Sequence, residues 1–273
     1  MKNKILVYDD HCPLCTWYSG LFVKYGFLND EARKPFSTLD DNLLERIDFA
    51  KSRNEIPLLD TSTNKVLYGI EALLEILDQK IPFIKRAGNF GPIKCILKKL
   101  YKLISFNRKV VVAKKCGCGA IDCSPDINYH YRFLFLAICL TFNTIILYPF
   151  QYYLFGKLSY YHLNIAQLQA AHFVFVFTNC TLAFTFPKAR GYEYIGQVNM
   201  LALSAVLLLV PLMLLQYFFF SELFSTIWLI LTTAFIFKEY LRRMEYVGVL
   251  SKNKLIVSMN LLSLTGFILF LFH

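Results

Sequence analysis

Acidic side chains are scarce in this chain of 273 residues, with 19 Asp and Glu against 29 Lys and Arg, a formal net charge of +10. Within the apolar windows of the second half they nearly vanish and no internal repeat is visible. An ion-coupled transporter, which needs acidic groups inside its spans, is left without support. No nucleic-acid-reading element accompanies the excess of positive charge, so nucleic acid is not an expected partner. A secretory leader is not expected either. Lys2 and Lys4 are followed by only the four apolar residues Ile5 to Tyr8 before Asp9 and Asp10, too short for a signal core.

What the second half does have is long apolar runs. From Phe133 onward, windows of around 20 residues recur, each long enough to cross a hydrocarbon core as a helix. Five are expected, at about 132–154, 166–186, 196–217, 222–240 and 254–272, the third and fourth forming a tight helical hairpin. Pro211 is expected to kink the third. Lys157 is alone in the loop after the first span, whereas Lys188 and Arg190 follow the second and Lys238, Arg242, Arg243, Lys252 and Lys254 follow the fourth. The positive-inside bias then puts the N-terminal domain in the cytoplasm of a bacterial-type cell membrane, with His273 outside.

The most informative motif is Cys12-Pro13-Leu14-Cys15, between the strand-like run Ile5-Leu6-Val7-Tyr8 and a helical pattern. A helix N-terminus favours a thiolate, because its unpaired N–H groups and dipole attract negative charge. Cys12 is therefore the expected nucleophile and Cys15, one turn further in, the resolving thiol. Pro13 suits the first helical turn, where its missing N–H costs nothing. In a reducing cytosol such a pair is transient and catalytic rather than structural. Reduced structural thiols or half a zinc site are the alternatives.

Downstream, the pattern predicts a helix around Trp17–Phe27, an extended piece at Lys34–Thr38 and a helix at Asp40–Ala50. A hairpin then turns through Asp60–Asn64, and a periodic helix, Ile70–Leu77, opens at Gly69. The order is βαβαββα. Trp17 and Tyr18 are expected as core or rim aromatics.

Tyr8-Asp9-x-x-Cys12-x-x-Cys15, with Ile56-Pro57 and Gly69-x-x-Ala72-Leu73, resembles the DCC family of thiol-disulfide oxidoreductases. The resemblance covers the first 80 to 130 residues or so. It implies an α/β thioredoxin-like fold, Asp9, Cys12 and Cys15 as motif residues, and Pro57 as a cis-proline offering backbone to an extended partner. A protein dithiol or disulfide is then the partner, and the dithiol requires no cofactor. Asp10 stands where the family usually has glycine, and Asp9 and Asp10 both oppose a thiolate at Cys12 while a protonated His11 favours it.

Residues 90–106 read as an amphipathic helix lying on anionic lipid. Lys94, Lys98, Lys99 and Lys102 stand beside Ile93, Ile96, Leu97, Leu100 and Leu103, with Lys85 and Arg86 just before. Between this segment and the spans, Cys116, Cys118, Cys123 and His130 (or Cys95) make a candidate zinc or iron–sulfur ligand set, a redox relay or plain thiols. Within the spans, Cys139 and Cys180 reach similar depths. Gln169, His172 and Asn179 share a helical face, as helix–helix glue or as the lining of a quinone or haem pocket. The expected organisation is a thioredoxin-like dithiol domain at 1–85, a connector at 86–130 and an all-α transmembrane bundle at 131–273. A membrane-anchored thiol-disulfide oxidoreductase is the leading expectation; the alternative is a non-enzymatic metal-binding or scaffold protein with a docking domain of the same fold.

Overall fold

The computed structural model describes residues 3–114, 125 and 127–271. The chain divides into two compact units, Met1–Arg132 and Phe133–His273.

In the first unit the chain runs β1 (Lys4–Tyr8), α1 (Pro13–Lys24), β2 (Arg33–Pro35), α2 (Asp41–Leu44), α3 (Phe49–Ser52), β3 (Pro57–Asp60), β4 (Val66–Tyr68) and α4 (Ile70–Leu77). Two further helices follow, α5 (Pro82–Asn89) and α6 (Gly91–Val112). The four strands form one sheet in the order β2-β1-β3-β4. β1 runs parallel to β2 and antiparallel to β3, with Leu6 opposite Arg33 and Leu58, and β3 pairs antiparallel with β4.

Side chains alternate across a strand, so neighbouring residues of β1 and β3 serve opposite faces. Leu6 and Leu58 join Ile56, Ala72 and Ile76 in a cluster covered by Tyr18 and Phe22 of α1. Val7 and Leu59 join Phe36, Leu39 and Ile47 on the other side. Both faces are thereby buried, which explains why β1 and β3 read as apolar runs rather than alternating ones.

The helix expected over 40–50 is two short ones. Ile47 turns into the core, and Asp48 restarts the helix by accepting a hydrogen bond from the Lys51 N–H at 3.1 Å. The hairpin turn forms as expected: the Asp60 carboxylate accepts from the Ser62 and Thr63 N–H groups at 2.9 and 3.1 Å. Gly69 opens α4 at φ +60°, and a Cβ there would stand 3.0 Å from the Glu55 carboxylate and 3.2 Å from the Tyr101 ring. Only glycine meets both demands without strain.

α6 runs further than the helix expected over 90–106. It extends to Val112, and its last turns bury Ser105, Asn107, Arg108 and Val110. The helix turns a polar stripe inward. Tyr101 Oη accepts the Ile56 N–H at 2.9 Å, the Ser105 hydroxyl donates to the Asn54 carbonyl, and Arg108 donates to the Arg53 carbonyl at 3.0 Å. Its apolar stripe of Ile93, Ile96, Leu100 and Ile104 is exposed.

The second unit continues α7 (Tyr129–Tyr153) into α8 (Ile165–Ala183), α9 (Lys188–Phe218), α10 (Glu222–Val247), α11 (Val249–Lys252) and α12 (Lys254–Leu271). Among the described residues four helices are long and apolar enough to cross a membrane, those at Tyr129–Lys157, Ile165–Ala183, Lys188–Phe218 and Glu222–Val247. At the fifth expected span lies α12, 18 residues long, whose stretch Lys254–Ser263 is apolar. The tight hairpin between α9 and α10 is present, with Ser221 capping α10.

Many polar groups buried between these helices are paired, as burial away from water demands. Tyr194 Oη donates to Asn179 Oδ1 at 2.7 Å, and Asn260 Nδ2 donates to Tyr194 Oη at 2.8 Å and Tyr240 Oη at 3.1 Å. One amide–phenol chain thus ties α8, α9, α10 and α12. Arg243 of α10 meets Glu239 at 2.8 Å and also donates to Gln197 of α9.

Candidate dithiol site

Cys12 is the N-cap of α1, in extended conformation, with Pro13 at the first helical turn. The Cys12 carbonyl accepts the Thr16 N–H at 3.0 Å, so the helix starts where the motif placed it. Cys12 is partly exposed and Cys15, one turn on, is 3% exposed. The two sulfurs and an Asp9 carboxylate oxygen all lie within 4.8 Å of one another. Arg33 of β2 holds this turn of α1, donating to Ser19 Oγ at 2.9 Å and the Thr16 carbonyl at 3.0 Å, with its guanidinium 3.9 Å above the Tyr8 ring.

The electrostatics separate the two thiols. Cys12 is pulled down to about 6, first by the hydrogen bond from the Cys15 thiol, then, against the opposing effect of burial, by the Cys15 backbone N–H and the Arg108 charge. Cys15 is pushed up, first by that same hydrogen bond, which it donates, and then by burial. A partly exposed thiol that favours the thiolate thus stands beside a buried thiol that holds its proton.

Arg108 is the site residue that the sequence motifs do not disclose. It arrives from α6, with Nη1 3.8 Å from Cys15 Sγ and Nη2 3.8 Å from Asp9 Oδ2. Burial opposes its charge, yet Cys15, Cys12 and Asp9 together hold it protonated more firmly than usual. The signal lies in the i, i+4, i+7 spacing of Tyr101, Ser105 and Arg108, a polar stripe alongside the apolar one.

Asp9 opposes a Cys12 thiolate, as expected. Asp9 is buried and its carboxyl is raised, by burial first and against the pull of Arg108, which weakens its opposition to a Cys12 thiolate. Its Oδ1 also accepts the His11 N–H at 3.0 Å, which shapes the turn before Cys12. Asp10 accepts from Ser37 Oγ at 2.8 Å and lies 3.6 Å from His11 Nδ1.

Pro57 does not meet its expectation. The Ile56–Pro57 bond is trans. The backbone it was to offer is already used: the Ile56 N–H goes to Tyr101 and the Ile56 carbonyl accepts the Gly69 N–H at 2.9 Å. Pro57 itself is a buried ladder residue opposite Tyr68.

Two thiols and a carboxylate also make a set that can hold a metal ion. The guanidinium fixed 3.8 Å from both Cys15 and Asp9 opposes a cation there. Of the connector set, Cys116, Cys118 and Cys123 fall outside the described residues, and His130 is exposed on α7, edge-on to Tyr131. Tyr18 is packed into the core, whereas Trp17 is 63% exposed at the rim. In the membrane unit, Asn179 serves as interhelical glue, and His172 Nε2 lies 3.4 Å from Thr144 Oγ1. No family model, curated protein or solved structure matches the chain.

Proposed function

We propose that the chain is a membrane-anchored thiol-disulfide oxidoreductase whose first unit is thioredoxin-like. The observation that carries this reading is the split of the two thiols: Cys12 at about 6 on a helix N-cap, against a buried, protonated Cys15. The sheet supports the fold assignment. β1, α1 and β2 form a parallel unit, the antiparallel pair β3–β4 extends it, and the dithiol sits at the carboxyl end of β1, where open α/β sheets place their sites. The motif likeness to the DCC family points the same way.

The chemistry balances within the site and one partner. The Cys12 thiolate attacks a partner disulfide, forming a Cys12–partner S–S bond and releasing one partner thiolate. Cys15 loses its proton, for which the Asp9 carboxylate is a neighbouring acceptor, and attacks the Cys12 sulfur. The second partner thiolate leaves, the partner has gained two electrons, and Cys12–Cys15 is a disulfide. A thiol reductant then restores the dithiol by the reverse exchange. Trp17, exposed beside the motif, gives the partner an apolar rim.

The four apolar helices anchor the protein in a cell membrane, and the bias of Lys and Arg toward the α8–α9 turn and the end of α10 favours a cytoplasmic first unit. The exposed apolar stripe of α6, flanked by Lys99, matches the surface of an anionic bilayer.

Alkylation of the purified full chain tests the proposal. Iodoacetamide is expected to modify Cys12 first, with a pH midpoint near 6, and Cys15 only after unfolding. Oxidation by a glutathione couple is expected to protect both together. Independent titration of the two cysteines, or a Cys12 midpoint above about 8, defeats the reading.

A further inference from the structure

The membrane unit holds a cavity of about 600 Å³, within the size range of small-molecule sites. Its walls are mostly apolar, among them Phe150, Val206 and Leu209, and three buried amides interrupt them, of which Asn179 is paired through both its amide atoms, with the Phe175 carbonyl and Tyr194. Asn143 of α7 is 2% exposed, and neither its Oδ1 nor its Nδ2 has a hydrogen-bond partner among the described residues. Asn260 of α12, 4% exposed, spends its Nδ2 on Tyr194 and Tyr240 while its Oδ1 is unpaired among those residues. An unpaired buried amide group costs about 1–3 kcal/mol. Leucine at 143 would avoid that cost, so the amide at this wall asks for a ligand.

The unmet groups define the ligand's chemistry. Two orphan acceptors need hydroxyl donors, one orphan donor needs an oxygen, and the rest of the wall needs an apolar body. A fatty acyl chain offers no donor, a sterol offers a single hydroxyl, and a quinone offers only acceptors. A ring diol carries hydroxyls on two edges, suited to amides that arrive on two different helices.

We propose that this cavity binds a lipid-soluble aromatic diol, the reduced form of a quinone. His172, on the same wall, lies near Thr144 and is not needed for the match. The proposal rests on the membrane unit alone and is independent of the Cys12–Cys15 pair.

Titration calorimetry on the full chain in detergent, with a decyl-substituted benzene-1,4-diol as probe, tests it. Saturable binding is expected, tighter than for the oxidised quinone or for decylbenzene. Asn143→Leu is expected to weaken it at least about tenfold while leaving the melting temperature equal or higher, because an unpaired amide has gone. Equal affinity for decylbenzene, showing lipid filling only, overturns the proposal, and so does an unchanged affinity in Asn143→Leu. Should that variant fail to fold, Ala205→Phe fills the same cavity from its wall and is expected to abolish binding; retained binding counts against the site. Cys12→Ser is expected to bind the diol normally. A failed dithiol assay beside intact diol binding therefore separates the two readings.

Discussion

The Cys12 thiolate depends on two neighbours of unequal weight, and substitution ranks them. The hydrogen bond from Cys15 is the largest cause of its low value, and the Arg108 charge a lesser one. Cys15→Ala is therefore expected to raise the pH midpoint of Cys12 alkylation most, and Arg108→Met by about one unit, as loss of one nearby opposite charge does. Stopped-flow alkylation across pH 5–9 measures both, and the reverse ranking contradicts the geometry. The sign for stability follows. A thiol depressed in the folded state stabilises that state fully above its unfolded value near 8.5, and the contribution is lost as pH falls through about 6. Between those limits the reduced form is expected to gain melting temperature as pH rises, and Cys12→Ser is expected to flatten that slope.

α6 shows at the scale of elements what the sequence discloses and what it conceals. Motif position, strand runs and turn chemistry are local, so β1, α1, the 60–64 turn and α4 are legible from the residues themselves. Which face of an amphipathic helix is buried is a tertiary choice, and in α6 the polar stripe wins it. Tyr101, Ser105 and Arg108 meet backbone groups of residues 53–56, about 50 positions upstream, which no local pattern records. Pro57 escapes local reading for the same reason, since the backbone beside it is already taken by Tyr101. Tyr101→Phe leaves the buried Ile56 N–H unpaired and is expected to lower stability by about 1–3 kcal/mol. Because the same helix carries Arg108, urea titration of the variant should show the loss together with faster alkylation of Cys15. A stable variant with unchanged Cys15 protection means that α6 does not hold the site.

For the whole molecule, the apolar windows are legible because span length and composition are properties of a single segment, but the number of crossings is not. α12 carries the apolar stretch Lys254–Ser263, and Asn260 within it joins the Tyr194–Asn179 chain. Orientation turns on charge. Lys188 and Arg190 lie at the α8–α9 turn and Lys238, Arg242 and Arg243 toward the end of α10, while the α7–α8 loop carries only Lys157. In the proposed orientation the membrane potential and anionic inner leaflet would hold the richer side in the cytoplasm, at about 1 kcal/mol per cation near the surface. His162 is exposed in the α7–α8 loop and Ala189 at the start of α9, so a cysteine at each position reports one side. With a membrane-impermeant maleimide on intact cells, His162→Cys is expected to label, whereas Ala189→Cys and the native Cys12 and exposed Cys95 label only after permeabilisation. Labelling of Cys95 in intact cells would put the dithiol in an oxidising space, where a C-x-x-C pair rests as a disulfide and donates oxidising rather than reducing equivalents.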